Sequence, residues 1–495
     1  MTAAVRAYVA RVSDYPLEPG RADIQAMAAA AAEMVADFVE GLPDAPAYAV
    51  HPAQVARLVP RLLREPPERP VSGDGPGAGP TDALGPLLAE FREATAVAAD
   101  VAGPGYMAYV GGGGLVTSAL AEFLARAVNR YTGLATFAPA LVAIEESVLR
   151  WMCRTFGLPA TAAGVVSTGG SLATLTAVVA ARTHALGEDL GCGTAYVSAY
   201  THRCVAKAAH VAGLRRDQVR VVPSTPDLRM DPVAAGAMIA ADRAAGRVPF
   251  LLVATGGTTH TGTVDDLVAL ADVAAAHEVW FHVDGAYGGF FQLTERGRAR
   301  LAGIERADSI VLDPHKSLFL PHGTGVTLVR DGATLRRAFA ADGHYLQDAG
   351  ADDRLPDYAD MGPELTRDYR GLRLWLPLHL HGVGAFRDAL DEKLDLAAFA
   401  HRELAADPRL EAPWAPDLST VAFRLRDGTA DEQRALLARV NASGRVFISS
   451  TLVEGRVTLR LCIITFRTHR DRVAEAVDIV REAAVAVTAG RGTPA

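Results

Sequence analysis

Lys316 stands in the run DPHKS (313–317), directly behind the apolar stretch 309–312. Lysine is rarely buried without a purpose, and an amine at a strand terminus with a lowered pKa is suited to condensing with a carbonyl. A solvated loop lysine is the plain alternative. Asp284 holds the same position behind another apolar stretch, in VWFHVDGAYGG (279–289), 32 positions before the lysine. A carboxylate ending a buried strand is costly unless it meets a cation, and an N-cap or a buried ion pair would also satisfy it. A third stretch, VVSTGGSLAT (165–174), ends in Gly169-Gly170 and opens an Ala-rich helical pattern. Free N–H groups and the helix dipole make such a start an anion site, and glycines let a phosphate come close. The structural alternative there is a tight turn with Ser171 as N-cap. The fourth segment is Tyr200-Thr201-His202, behind the β-rich run 195–198. A lone histidine at a helix start is usually a cap or a surface residue.

Each feature alone is weak, but the combination is specific. An anion cradle, an imidazole, a strand-end carboxylate and a lysine meet each requirement of pyridoxal phosphate. The lysine holds the aldehyde, the carboxylate keeps the pyridine nitrogen protonated so that the ring draws electrons, and the imidazole covers the ring face.

The elements that must position these residues are legible in the patterning. Helical spacing of Ile24, Met27, Met34, Val35 and Phe38 predicts helices within 18–64, and the Pro- and Gly-rich run 66–86 predicts a loop. A second loop, Gly111-Gly112-Gly113-Gly114, follows the aromatic cluster Tyr106 to Tyr109. Short β-rich runs at 165–167, 195–198, 220–222, 250–254, 279–283, 309–312 and 325–329 alternate with helical stretches such as 267–277. That alternation predicts an α/β fold with a mostly parallel central sheet covered on both faces. The expected division is a helical N-terminal segment (1–112), a large domain (113–385) and a small α+β domain (386–495). In open α/β sheets ligands gather at the carboxyl ends of strands, where all four segments fall.

Composition narrows the class. The chain has 495 residues, half of them apolar, and a net charge of −8, which argues against a general nucleic-acid binder. Four scattered cysteines form no C-x-x-C pair, so reduced thiols in a cytoplasmic enzyme are expected and no metal site is. The N-terminus lacks the apolar core of a signal peptide, and no apolar run nears the roughly 18 residues that span a bilayer.

DPHKS together with HVDGAYGG (282–289) resembles the group II pyridoxal-phosphate decarboxylases, which include aromatic-amino-acid, histidine and glutamate decarboxylases. The resemblance extends through PGYMAYVGGGG (104–114), APALVAIEESVLRWM (138–152) and LRLCIITFRTH (459–469), and so covers nearly the whole chain. It implies pyridoxal-phosphate fold type I, aspartate-aminotransferase-like, and a homodimer with shared active sites. By the same resemblance Lys316 carries the cofactor, Asp284 pairs with the pyridine nitrogen, Ala286 lies under the ring and His202 stacks on its other face. Gly170, Ser171 and Asp313 surround the phosphate, Thr259 bonds near the ring's 3-hydroxyl side, and His315 approaches beside the lysine. Asp313 stands where some members carry Asn.

In this family a tyrosine on a loop after the lysine returns a proton to the substrate carbon once carbon dioxide has left. The matching stretch, DDRLPDY (352–358), makes Tyr358 the expected acid on a solvent-facing lid, with Tyr345 and Tyr369 as competitors. Relatives that form aldehydes often carry Phe there, so Tyr358 favours simple decarboxylation to an amine. Arg460 matches an arginine near the substrate carboxylate, with Arg467 as a substitute. Aromatic-specific members often have Trp after the lysine, whereas this chain has Ser317. The expected pocket wall, Tyr106 to Tyr109 and 129–133, favours an aromatic or bulky apolar substrate. An aldehyde synthase, an aminotransferase, or a cofactor-less binding protein on the same fold are the rival readings.

Overall fold

The computed structural model describes residues 17–68, 80–341 and 354–489. The chain divides into two compact units, Met1–Tyr106 with Gly444–Phe447, and Met107–Ser443 with Ile448–Ala495.

The first unit is built on three helices, α1 (Arg21–Gly41), α2 (Pro52–Leu62) and α3 (Pro80–Thr95). α1 opens where the Gly20 N–H donates to the Asp23 carboxylate at 3.1 Å, and α2 opens with proline, which lacks an N–H at a position where the helix offers it no acceptor. Arg64 and Arg92 tie the helices through Glu90 (2.6 Å) and Asp37 (3.0 Å). The expected loop 66–86 is shorter than its composition suggested. Residues 69–79 lie outside the described residues, and α3 already begins at Pro80 and carries Pro86 inside it.

The second unit holds a seven-stranded sheet: β1 (Ala163–Ser167), β2 (Gly193–Ser198), β3 (Val219–Val222), β4 (Val248–Thr255), β5 (Trp280–Asp284), β6 (Ser309–Leu312) and β7 (Gly325–Val329). Their order is β1-β7-β6-β5-β4-β2-β3. All neighbours are parallel except β7, which runs antiparallel to both β1 and β6. The carboxyl ends of β1, β2, β4, β5 and β6 therefore share one edge. Apart from β3 and the first residues of β1 and β4, these strands are buried throughout, which is why they read as continuous apolar runs. Helices α4 (Val116–Val128), α5 (Pro139–Thr155), α6 (Gly170–Leu186) and α7 (Cys204–Val211) supply cover, and α6 accepts the Thr327 hydroxyl of β7 on its Ala173 carbonyl at 2.9 Å.

A one-turn helix, α8 (Pro314–Ser317), follows β6, and a long helix, α9 (Gly371–Ala405), breaks at Gly382 where φ is +72°. β8 (Leu410–Glu411), β9 (Thr420–Leu425), α10 (Ala430–Ala442), β10 (Phe447–Val453), β11 (Arg456–Cys462) and α11 (Arg470–Thr488) complete the chain. The four strands run antiparallel in the order β10-β11-β9-β8. This is the expected alternation of helix and strand, and it packs into the same unit as the large sheet.

Alternation along β5 puts Trp280, His282 and Asp284 on one face. The Trp280 indole donates to Ser309 Oγ at 2.8 Å, and His282 Nδ1 meets the same oxygen at 2.8 Å. Burial drives the His282 pKa down from 6.5 to about 4. The unfolded chain therefore takes up this proton first as pH falls. The contribution to stability is complete above pH 6.5 and is lost toward pH 4, by roughly 3 kcal/mol in all. Urea unfolding between pH 7 and 4.5 should show this slope in the wild type and a flatter one in His282→Asn.

Candidate active site

The polar ends of β4, β5 and β6 and the start of α6 enclose a cavity of about 360 Å³. Lys316 reaches it because Pro314 starts α8 immediately after β6 and the Lys316 N–H donates to the Asp313 carbonyl at 2.8 Å. Its Nζ lies 2.8 Å from Asp313 Oδ2. Burial disfavours the ammonium, but Asp313 and then Asp284 outweigh it, and the Lys316 pKa stands above its ordinary value. A lysine with a lowered pKa was the sequence expectation; the two carboxylates reverse its sign. Asp313 Oδ2 is thus placed to receive the proton that Nζ must lose before it attacks a carbonyl.

Asp284 ends β5 almost fully buried, and its Oδ1 accepts the Ala286 N–H at 3.1 Å. Burial raises its pKa, against the opposing pull of Lys316. Thr255 Oγ1 and Asp313 Oδ1, both at the cavity, are buried without a hydrogen-bond partner among the described residues. Orphaned acceptors and a buried carboxylate leave the site short of donors and of positive charge.

α6 begins at the cavity with no side-chain cap, so Ser171 is not the N-cap of the structural alternative. Gly169 has φ +146°, and a Cβ on Gly170 would come within 2.7 Å of Asp313 Oδ2. Only glycines leave the helix start open to an anion beside Asp313. Behind the lysine, a Cβ on Gly112 would strike the carbonyl oxygens of His315 and Lys316, which explains the glycine at that position of the Gly111–Gly114 run.

His202 lines the cavity, and its Nδ1 accepts the Cys204 N–H at 3.3 Å, so it caps α7 as well. Burial lowers its pKa and keeps the ring neutral. Thr259, Ala286 and His315 also line the cavity, and His315 Nδ1 donates to the Thr324 carbonyl at 2.6 Å. Ser317 faces away from it and donates to the Tyr287 carbonyl at 2.7 Å. Sequence reasoning missed Cys204, Thr255, Tyr287 and His322. Thr255, the last residue of β4 and the register partner of Asp284, was open to the same strand-end rule. His322, whose ring lies 5.5 Å from His315, gave no signal in its loop.

Three expected residues lie elsewhere. Tyr358 does not face solvent and does not line this cavity: it is 1% exposed in a 3₁₀ turn, where its hydroxyl donates to Glu146 Oε2 at 3.2 Å and Arg367 covers its ring at 4.7 Å. Burial and then Glu145 hold its pKa well above the ordinary value. Tyr369 is also buried, and Tyr345 lies outside the described residues. The one tyrosine lining the cavity among the described residues, Tyr287, bonds its hydroxyl to Ser419 at 2.8 Å. Arg460 is buried in β11, where it donates to the Thr259 carbonyl and, at 2.8 Å, to Ser449 Oγ. Its guanidinium grips the back of the cavity wall instead of facing into it. Arg467 donates to the Gly113 carbonyl at 2.6 Å. Tyr106 belongs to the first unit, where its ring lies 5.9 Å from Phe447, and the expected wall 129–133 contributes nothing to the lining.

The residues fit pyridoxal phosphate: an open helix start for its phosphate, a buried carboxylate with one described N–H donor, a neutral imidazole, the small Ala286, and an amine beside a proton acceptor. Comparison with known proteins agrees. Residues 95–426 match the family model described as the pyridoxal-dependent decarboxylase conserved domain. The chain is 33% identical to an aromatic-L-amino-acid decarboxylase of Bacillus atrophaeus, over 75% of this chain and 79% of the relative. It is 32% identical to a tyrosine decarboxylase of Oryza sativa subsp. japonica (93% and 90%), and 30% identical to a phenylacetaldehyde synthase of Arabidopsis thaliana (74% and 80%). Among solved structures, Oryza sativa TDC with PLP and tryptamine superposes with a TM-score of 0.86 at 26% identity, covering 94% of this chain and 98% of that one. The chain belongs to the pyridoxal-dependent decarboxylases of group II, has their type I fold, and is a pyridoxal-phosphate-dependent amino-acid decarboxylase.

The placement of Tyr358 has a direct consequence. Tyr358→Phe should keep its catalytic rate within about twofold and its product unchanged, while losing about 1 kcal/mol of stability with the Glu146 hydrogen bond. Product analysis beside urea unfolding checks both.

Proposed function

We propose that the enzyme removes the carboxylate of an aromatic L-amino acid and releases the amine. The observation that carries this reading is the agreement of its relatives: a bacterial protein and a rice protein named for aromatic substrates match three quarters or more of the chain. Bound pyridoxal phosphate supplies an aldehyde for the substrate amine and a protonated ring that draws off the electron pair left by carbon dioxide. Lys316 would hold the cofactor through its aldehyde, and Asp313, 2.8 Å from Nζ, is placed to take and return the proton of the amine. Asp284 keeps a proton on the ring nitrogen, because a carboxylate so deeply buried is stable only against a cation. His202 and Ala286, which line the cavity, would hold the ring between them. The N–H groups of Gly170 and Ser171 take the phosphate, and His315 and Thr259 complete the walls.

The test is product identity. Holoenzyme is incubated with phenylalanine, tyrosine, tryptophan and 3,4-dihydroxyphenylalanine, beside glutamate, histidine and 2,4-diaminobutyrate. Carbon dioxide with the amine from an aromatic substrate is the expected result. Aldehyde with peroxide would replace it by the oxidative reading, and a keto acid by transamination. Turnover confined to the other three would remove the aromatic assignment.

We infer further that the enzyme works as a homodimer in the cytoplasm. α4 leaves Leu120, Phe123, Leu124 and Val128 about half exposed on one side, and α1 buries no residue while presenting Ile24, Val35 and Phe38. Apolar faces of this kind support an interface with a second copy. All four cysteines are free, in keeping with a reducing compartment, and no described helix is long and apolar enough to cross a membrane. Sedimentation should give a dimer for the wild type, and Phe123→Asp with Leu124→Asp should shift it to monomer with activity lowered at least about tenfold.

A further inference from the structure

Ser317 follows Lys316 directly, is wholly buried and does not line the cavity. Its hydroxyl donates to the Tyr287 carbonyl at 2.7 Å. That carbonyl belongs to the turn after β5, three residues beyond Asp284 and next to Ala286. Among the described residues no other hydrogen bond joins 313–320 to 284–289. The Lys316 turn is also pinned from its far side. The Leu115 N–H donates to the Phe319 carbonyl at 2.7 Å, and the Phe319 ring stacks on Phe386 with centroids 6.3 Å apart. Phe319 itself has φ +64°, a conformation that a buried phenylalanine keeps only when its surroundings impose it.

The acceptor is held as firmly as the donor. The Tyr287 hydroxyl oxygen accepts the Ser419 N–H at 2.9 Å and the Thr420 hydroxyl at 3.2 Å. With two donors on its oxygen, the phenol places its own hydrogen on Ser419 Oγ, 2.8 Å away. Burial pushes the Tyr287 pKa up to about 12, so this proton stays in place near neutral pH. The ring also lies against the Thr259 loop, where a Cβ on Gly257 would come within 2.8 Å of it. Hydroxyl and ring thus fix Tyr287 from behind, and its carbonyl is the part that Ser317 grasps.

We propose that Ser317 is a positioning residue: its bond to the Tyr287 carbonyl sets the register between the turn carrying Lys316 and the turn carrying Asp284 and Ala286. The described pairing of β5 with β6 ends at Asp284 and Val311, before either turn begins. The cofactor ring is rigid, and it is to be held at both turns, through its aldehyde at Lys316 and its nitrogen at Asp284. A shift of one turn against the other is then taken up by the flexible four-carbon stem of the lysine, and the ring tilts over Ala286. This role rests on the reading that Lys316 bonds the cofactor.

The experiment reads the cofactor and needs no substrate. Wild type, Ser317→Ala, Ser317→Thr, Tyr287→Phe, the double variant Ser317→Ala with Tyr287→Phe, and Lys316→Ala are each saturated with pyridoxal phosphate. The visible circular dichroism of the bound cofactor is recorded, with its dissociation constant from fluorescence quenching and the unfolding temperature of the cofactor-free protein. Ser317→Ala should weaken the dichroic band at saturation and raise the dissociation constant about fivefold, the effect of one neutral hydrogen bond. Ser317→Thr keeps the hydroxyl and should restore both, even where its extra methyl lowers the unfolding temperature. Tyr287→Phe frees the carbonyl from behind and should weaken the band likewise. The double variant should then be no weaker than the weaker single. A full band in saturated Ser317→Ala, whatever its unfolding temperature, would leave the bond a merely structural one and overturn the role. So would a threonine variant as impaired as alanine, or losses that add in the double variant. A cofactor band unchanged in Lys316→Ala would instead remove the reading of Lys316.

Discussion

A carboxylate buried at the end of β5, with an ammonium that balances it one strand away, constrains everything else in this enzyme. Asp284 is nearly inaccessible, and its one described protein donor is the Ala286 N–H. Lys316 is the nearest compensation and already shares its charge with Asp313 at 2.8 Å. Two acids and one base in a small cavity leave a net negative site that is stable only with further positive charge. A protonated ring nitrogen at Asp284 would supply a cation at the carboxylate that burial penalises. Parallel β5 and β6 are what make this arrangement possible, because they bring Asp284 and the β6–α8 turn to the same edge of the sheet.

The rest of the second unit reads as a set of braces for that edge. Ser317 donates to the Tyr287 carbonyl, Tyr287 bonds Ser419, and Ser419 precedes β9. The turn bearing the lysine, the turn after the aspartate and the small sheet are thereby joined in one line. Arg460 performs a matching task from β11 at the Thr259 carbonyl. The small sheet thus contributes rigidity to the cavity wall, and the arginine expected to greet the substrate is consumed in providing it.

What the sequence disclosed and what it hid follow from this division. All seven strands of the large sheet were visible as short β-rich runs, and in all but the edge strand β3 burial on both faces is what removes polar residues. Lys316, Asp284 and His202 were visible because polar groups at strand ends are costly and therefore informative. Tyr358 misled because its neighbours are charged: DDRLPD looks like a solvated lid. Charge in sequence does not reveal partners. Glu145 and Glu146 come from α5, more than 200 positions away, and they turn an apparently exposed segment into an interior one. Arg460 misled for a like reason, since a strand-end arginine has the same signature whether it meets a ligand or a backbone carbonyl. His322 could not be found at all, being one histidine in a loop with no periodicity around it.

The segment that misled also has a place in the chemistry. Behind Tyr358, Arg367 pairs with Glu145 at 2.6 Å with both side chains buried, and Arg370 pairs with Glu364 and Asp368. Both guanidiniums also donate to the Val166 carbonyl, at 3.4 and 3.0 Å. Val166 lies in β1, three residues before Gly169, where the chain turns to open α6. Replacing these arginines with apolar residues of similar volume would spare the desolvation of several charges. That alternative would leave the Val166 carbonyl unsatisfied and the turn before the helix start without its anchor. Nε and Nη1 of Arg367 remain without hydrogen bonds, so the pairing is not optimal for stability alone. The arrangement makes better sense as an anchor, in which two guanidiniums held by their carboxylates donate to a carbonyl of the strand that delivers the turn before α6.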